Sequence, residues 1–515
     1  MSDSYLDGVE ARERTRRAKI VCTIGPASQS EAMIRELMRA GMDVARLNFS
    51  HGTHDDQAKV IERLRRAAQK EDRSICILQD LQGPKIRTDR LKYRTPVALR
   101  KGTRVTITPR DLSGTESLIS TSFETLAENV QPGSRVLLSD GLIELRVTAV
   151  KGKDVECEVV NGGKLGEHQG INLPGTPLNI PAMTDKDRED LQFGLEQKVD
   201  VVALSFVRRA SDVREIKHII HRHGSDTPVI AKLEKPQAIE NLDDIFDISD
   251  GVMVARGDLG VEMLPEQVPI IQKQIIARSA EWRKPVITAT QMLESMVENP
   301  RPTRAEASDV ANAIFDGSDA VMLSGETARG KYPRQAVEMM ARIICEAESH
   351  FQHRPWMKHS RDRRLSVAET ICESVAHAAD DLTMRAIAVF TETGTTARLV
   401  SKYRPRCPVF GFADSQRVCN RLNLLWGVHP HCVGAANSIV EMVKSGEQQM
   451  LQHGSVTAGD VVGIVTGTRQ SAGFTNLMWL HTVGGEQAQH VPERRTKPRT
   501  GPASKRKPQA RSAEE

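Results

Sequence analysis

Eight times along this chain a short apolar run ends in glycine or polar residues and gives way to a helix-like stretch, and no other feature limits the fold so tightly. The runs are 19–25 (KIVCTIG), 44–50 (VARLNFS), 75–81 (ICILQDL), 200–206 (DVVALSF), 228–234 (PVIAKLE), 251–258 (GVMVARGD), 285–291 (PVITATQ) and 320–326 (AVMLSGE). Each is too short for a helix and is rich in β-branched residues, which reads as a buried strand. Strands alternating with helices imply parallel pairing through crossover helices. Eight such units predict an α/β protein built on a closed (β/α)8 TIM barrel, the alternative being an open doubly wound sheet. In a closed barrel the catalytic groups gather at the carboxyl rim of the strands.

The alternation breaks between 85 and 181, where short Val/Ile/Thr-rich pieces are separated by turn signals at Lys101-Gly102, Pro132-Gly133, Asp140-Gly141, Lys151-Gly152 and Asn161-Gly162-Gly163. That texture predicts an inserted all-β domain. A smaller α/β pattern follows, with strands at 385–390, 408–413 and 460–466. The expected organisation is a leader (1–18), a barrel (19–84 and 182–352), a β insertion (85–181), a C-terminal α/β domain (353–485) and a disordered tail (486–515). The net charge of +4 lies in that tail, which holds eight Lys or Arg against four Asp or Glu. With the rest of the chain balanced, a dedicated nucleic-acid binder is not expected, since any attraction to polyanions has to come from the tail or local patches. Eight scattered cysteines form no Cys-x-x-Cys or Cys/His cluster, which argues against a zinc site or a disulfide framework. No signal core and no apolar run near 20 residues long is present, so a cytoplasmic protein without membrane spans is expected.

The fifth and sixth runs carry the chemistry. A strand's period of two puts Lys232 and Glu234 on one side, and Asp258 follows the next strand. If those strands share a rim, two carboxylates can hold a divalent metal with an ammonium aimed at a metal-bound anion. The plain alternative is a structural salt bridge at a strand end. In the C-terminal domain, 391–396 (TETGTT) opens a helix with free N–H groups and hydroxyls, which suits a phosphate or is simply an N-cap cluster.

Seven runs in order, 19–28 (KIVCTIGPAS), 48–52 (NFSHG), 83–87 (GPKIR), 253–260 (MVARGDLG), 288–296 (TATQMLESM), 302–306 (PTRAE) and 323–328 (LSGETA), resemble the pyruvate kinase family over roughly 19–483. The resemblance implies transfer of the phosphoryl group of phosphoenolpyruvate to ADP, giving ATP and enolpyruvate, which is protonated to pyruvate. It implies that the insertion is a small β-barrel lid, and that Glu234 and Asp258 hold Mg2+ or Mn2+. By the same resemblance Lys232 stabilises the phosphoryl group in flight, Gly257 and Asp258 receive the substrate carboxylate at their N–H groups, and Thr290 joins in the proton path. Arg46 and Arg87 would clamp phosphate oxygens, Lys186 and His51 would contact the nucleotide, and Ser324 would belong to the protonating network. Asn48, Ser50, Asp80 and the Leu81 carbonyl match the family's potassium pocket. Potassium-dependent members resemble Thr-Lys-Gly-Pro-Glu after the aspartate, whereas this chain has Leu81-Gln82-Gly83-Pro84-Lys85. Lys85 in place of that glutamate can itself supply the cation, so no potassium requirement is expected. Thr391, Thr393, Gly394, Thr395 and Thr396 align with the family's effector loop and Arg469 with the loop facing it. A phosphorylated allosteric activator and a homotetramer are the implied partners besides substrate and nucleotide. Rival readings are a phosphoenolpyruvate- or pyruvate-handling lyase on the same barrel, and a regulatory or nucleic-acid-binding protein acting through the basic tail.

Overall fold

In the computed structural model all eight predicted runs pair in parallel and close on themselves. The barrel strands are β1 (Lys19–Thr23), β2 (Val44–Asn48), β3 (Cys76–Asp80), β4 (Val201–Leu204), β5 (Val229–Leu233), β6 (Gly251–Ala255), β7 (Val286–Ala289) and β8 (Ala320–Leu323). Each pairs with its sequence neighbour, and β1 with β8. The structure describes residues 16–176, 180–350, 364–434, 438–467 and 475–484. The leader to residue 15, most of the 353–364 connector, Arg469 and the basic tail lie outside them.

The strand period sorts side chains into two cores. Val21, Val44, Cys76, Leu78, Val201, Ala203, Ile230, Met253 and Ile287 fill the barrel lumen. Ile20, Ala45, Ile77, Val202, Ala231 and Val252 pack outward beneath the helices. Counting on by two from the lumen residues brings Thr23, Arg46, Asp80, Ser205 and Lys232 to the inward positions at the carboxyl rim. The helices have strong start signals. Thr53, Thr184 and Thr303 each cap a helix reciprocally with the acidic residue three positions on.

The insertion contains a six-stranded sheet and a two-stranded ribbon around one core that includes Val105, Ile107, Val136, Leu145 and Val155. It leaves the barrel at Gly83, whose φ of +70° and close approach to Phe206 (2.6 Å from where a Cβ would sit) exclude any side chain. It returns to the rim where Asn172 donates to Glu262 at 2.9 Å.

The C-terminal sheet has the order β11-β10-β9-β12-β13, with β9 (Ala386–Phe390), β10 (Val409–Ala413), β11 (Val428–Cys432), β12 (Val461–Thr466) and β13 (Leu477–Thr482), the last antiparallel. The sequence reading found β9, β10 and β12 but not the two edges. Pro430 inside β11 removes a ladder donor, which an edge strand tolerates. The sheet docks under the amino end of the barrel. There Leu424 reaches the lumen core, Lys402 Nζ lies 2.8 Å from Asp319, and Lys19 Nζ donates to the Val428 carbonyl at 2.7 Å.

Candidate active site

The rim site is organised around a buried ammonium. Lys232 Nζ donates to Ser205 Oγ at 2.7 Å and lies 3.1 Å from Asp80 Oδ1 and 2.9 Å from Glu234 Oε1. Burial alone would depress its pKa. Asp80 and Glu234 together outweigh that, so it ends above the ordinary lysine range and the group is charged at any physiological pH. Asp80 is in turn held below the usual carboxylate range, the cost of its burial being more than offset by Lys232 and Arg46. Arg46 Nε donates to Asp80 Oδ2 at 2.6 Å and its Nη1 to Thr23 Oγ1 at 3.0 Å, which fixes the guanidinium at the mouth.

Glu234 is the unusual carboxylate. Its Oε2 accepts the Phe206 N–H at 2.8 Å, while Oε1, fully buried, has only the Lys232 ammonium, 2.9 Å away. Burial first, and then the charge of Asp258, push its pKa up against the pull of Lys232. A buried oxygen with spare acceptor capacity, beside a second carboxylate that repels it, fits a hard divalent cation. Among the described residues no group of three or more His, Cys, Asp or Glu could hold a metal. Two carboxylates would then be the protein's whole share, leaving the other positions to substrate oxygens and water, as Mg2+ prefers.

Asp258 and Gly257 lie in the first turn of the helix Arg256–Glu262, which starts directly at the end of β6. The Gly257 N–H donates to Thr290 Oγ1 at 2.7 Å, and that hydroxyl donates to the Ala289 carbonyl at 2.6 Å. Thr290 has φ +71° and Gln291 +54°, and a β-branched residue in the left-handed region is strained backbone held by its surroundings. The holder is Arg256. Its Nη2 donates to the Thr290 carbonyl at 2.6 Å, its Nε to the Ala289 carbonyl at 3.3 Å, and its Nη1 to Asp309 at 2.7 Å. The sequence reading quoted Arg256 within its motif and gave it no role. It also passed over Ser205, although the inward period of β4 leads straight to it.

Further from Lys232, Arg87 Nη1 donates to the His168 carbonyl of the insertion at 3.1 Å. Exposed His51 has its pKa lowered by partial desolvation and then by Arg87, Arg46 and Lys85, so these cations concentrate on one spot. Such a convergence attracts polyanions. Lys186 Nζ is tied to Asp190 at 2.5 Å and to the Phe49 carbonyl at 2.8 Å. The Ser324 N–H donates to Glu326, a buried carboxylate whose pKa burial raises.

In the predicted monovalent pocket, Asn48 Oδ1 accepts the Ser50 N–H at 3.1 Å and the Leu81 carbonyl accepts the Ser205 hydroxyl at 2.7 Å. Lys85 forms its ion pairs elsewhere, 3.7 Å from both Asp258 and Asp140, while Lys232 and Arg46 take Asp80. The turn at Gly83 carries Lys85 across the rim towards the insertion. In the C-terminal domain the predicted effector turn folds on itself: the Gly394 N–H donates to Thr391 Oγ1 at 2.9 Å, Thr393 Oγ1 to Thr395 Oγ1 at 3.0 Å, and Thr396 Oγ1 pairs with Thr475 Oγ1 at 2.6 Å.

Comparison with known proteins covers nearly the whole chain. Family models described as pyruvate kinase, barrel domain, and pyruvate kinase, alpha/beta domain, match 15–337 and 369–481. A pyruvate kinase of Sporosarcina psychrophila is 45% identical over 477 residues, 91% of this chain and 81% of its own. One from Staphylococcus aureus (strain MRSA252) is 44% identical over 92% of this chain and 81% of its own. A crystal structure of a pyruvate kinase from Cryptosporidium parvum superposes with a TM-score of 0.87 at 37% identity, covering 92% of this chain and 97% of that one.

Proposed function

The chain belongs to the pyruvate kinase family, an enzyme of phosphoryl transfer from phosphoenolpyruvate to ADP, and on that premise we propose how its rim residues divide the work. The observation that carries the reading is the Lys232 ammonium, kept charged and aimed by Ser205, Asp80 and Glu234. Phosphoryl transfer needs little covalent help from the protein; it needs positioning and positive charge where negative charge moves. Lys232 supplies that charge without reorganising. Glu234 and Asp258 would hold the divalent cation, which when bound neutralises the substrate's carboxylate and phosphate. The helix end at Gly257 and Asp258 would receive the carboxylate, the Gly257 N–H exchanging its bond to Thr290 Oγ1 for one to the substrate. Arg46 orients the phosphoryl group from the opposite wall, and Arg87, His51 and Lys186 meet the nucleotide. Ser324, backed by Glu326, borders the proton path to the enolate. The lid, closing from Gly83, excludes water that would otherwise accept the phosphoryl group. A coupled assay tests this. Phosphoenolpyruvate consumption that requires ADP and yields ATP supports it, and consumption without ADP would favour the lyase reading.

Potassium independence is part of the same proposal. The expectation that Lys85 itself fills the pocket is corrected by its ion pairs with Asp258 and Asp140, each at 3.7 Å, while Asp80 is taken by Lys232 and Arg46. Potassium independence now rests on those two cations at Asp80 and on the two-unit charge change that Lys85 brings to the rim. Rates in potassium and tetramethylammonium salts should agree. A loss of more than about tenfold without potassium, ~1.4 kcal/mol in the barrier, contradicts it. Regulation by a phosphorylated metabolite at the Thr391 to Thr396 turn, with Arg469 opposite, rests on the family resemblance and on the turn's four hydroxyls. A panel of sugar phosphates and nucleotides in that assay would identify the activator. Assembly into a homotetramer is supported by edge strand β13, where Trp479 and Leu480 are exposed. The cytoplasm suits a chain whose eight cysteines are all free thiols.

A further inference from the structure

Two thiols of the C-terminal sheet have no part in phosphoryl transfer. Cys432 ends edge strand β11 and Cys419 lies in the helix Gln416–Leu422. Ala413 of β10 sits between them: it is registered against Cys432, and its carbonyl lies 3.7 Å from Cys419 Sγ. Val428, in the core beneath that helix, and Cys432 fall on the same face of β11 by the strand's period of two, and Cys432 Sγ reaches Gln416 Oε1 at 3.3 Å, one helical turn before Cys419. Their settings differ sharply. Cys432 is exposed and Cys419 is fully buried. A reachable sulfur backed by a buried second one is how oxidant-sensing pairs are built.

We propose that Cys419 and Cys432 form a peroxide-responsive pair that closes to an intramolecular disulfide. The co-reactant is hydrogen peroxide. The Cys432 thiolate attacks one peroxide oxygen, the O–O bond breaks, and the leaving oxygen takes a proton to depart as water, leaving sulfenic acid on Cys432. The Cys419 sulfur then attacks that sulfur and displaces hydroxide, which leaves as a second water with the Cys419 proton. Two thiols lose two electrons and two protons, and the peroxide gains both. The bond would form at a seam. The same helix holds the barrel's amino end through Asn420 Nδ2 to Asp200 Oδ1 at 3.1 Å and Arg417 Nη2 to Thr227 Oγ1 at 2.7 Å.

The test uses the full chain. After treatment with hydrogen peroxide, free thiols are alkylated and a non-reducing digest is read by mass spectrometry. The expected product is a peptide pair joined through Cys419 and Cys432, two hydrogens lighter than the separate peptides and lost on reduction with dithiothreitol. In Cys419→Ala, dimedone should trap Cys432 as sulfenic acid. Wild-type protein in which Cys432 proceeds to sulfinic acid without a cross-link, or stays alkylatable while other thiols oxidise, would overturn the proposal whether or not the variant folds.

Discussion

At the scale of single residues the site divides into groups that meet the reactants and groups that hold those in place. Glu234 belongs to the first kind, with a buried oxygen in need of a partner. Glu234→Gln should weaken Mn2+ binding by at least about tenfold, ~1.4 kcal/mol, in a titration followed by water-proton relaxation. Affinity equal to wild type would remove Glu234 from the metal. Arg256 belongs to the second kind, because it ties the Ala289 and Thr290 carbonyls to Asp309. Arg256→Met should lower kcat by about 10- to 100-fold, roughly 1.4 to 2.7 kcal/mol, with a smaller change in Mn2+ affinity. Unchanged kcat would mean that Thr290 keeps its strained φ unaided. The rim positions of Lys232 and Glu234 were legible because a strand's period puts both on one side, and that of Asp258 because the next parallel strand ends at the same rim. Arg256 was not, since an arginine in a turn reads as ordinary until its partner, 33 residues away in sequence, is known; the place of Ser205 follows from the period of β4, but its partner Lys232, 27 residues on, does not.

At the scale of elements, two segments carry testable loads. The lid strand Ile171–Asn172 is latched to the rim by Asn172 on Glu262, which Lys235 also grips at 2.6 Å. Glu262→Ala should speed amide hydrogen exchange at Ile171 and Asn172 while leaving β5 and β6 protected, and equal protection at both would show the latch to be idle. Edge strand β11 carries His429 and His431, whose pKa values burial pushes down to about 3 and about 4, with Lys19 and His453 respectively adding to the effect. Below the unfolded value of about 6.5, the unfolded chain takes up protons that the folded one refuses. Stability is therefore lost from about pH 6.5 downward to the folded values. For partly buried His429 the loss is at most about 1.4 kcal/mol per pH unit. The denaturation midpoint should fall between pH 7.5 and 5.5, and fall less in His429→Gln; equal falls would place the acid sensitivity elsewhere. This strand escaped the sequence reading for a physical reason. Pro430 and two histidines look unlike a strand until one sees that it is an edge, where a missing N–H costs little.

At the scale of the whole molecule, the barrel was legible because eight repeats of one pattern leave few other closures. The docking of the C-terminal sheet was not, since Lys402 to Asp319 and Leu424 into the lumen are contacts that no local pattern encodes. The two ends of the barrel thus have separate duties: the amino end seats the second sheet, and the carboxyl rim gathers charge under a lid. The central claim is that this gathered charge acts on the phosphoryl group through one ammonium. Its most direct test is the rate of ATP formation from phosphoenolpyruvate and ADP by Lys232→Met at saturating Mg2+. The account predicts a fall of at least about a thousandfold, ~4 kcal/mol in the barrier, and a rate within about tenfold of wild type would contradict it.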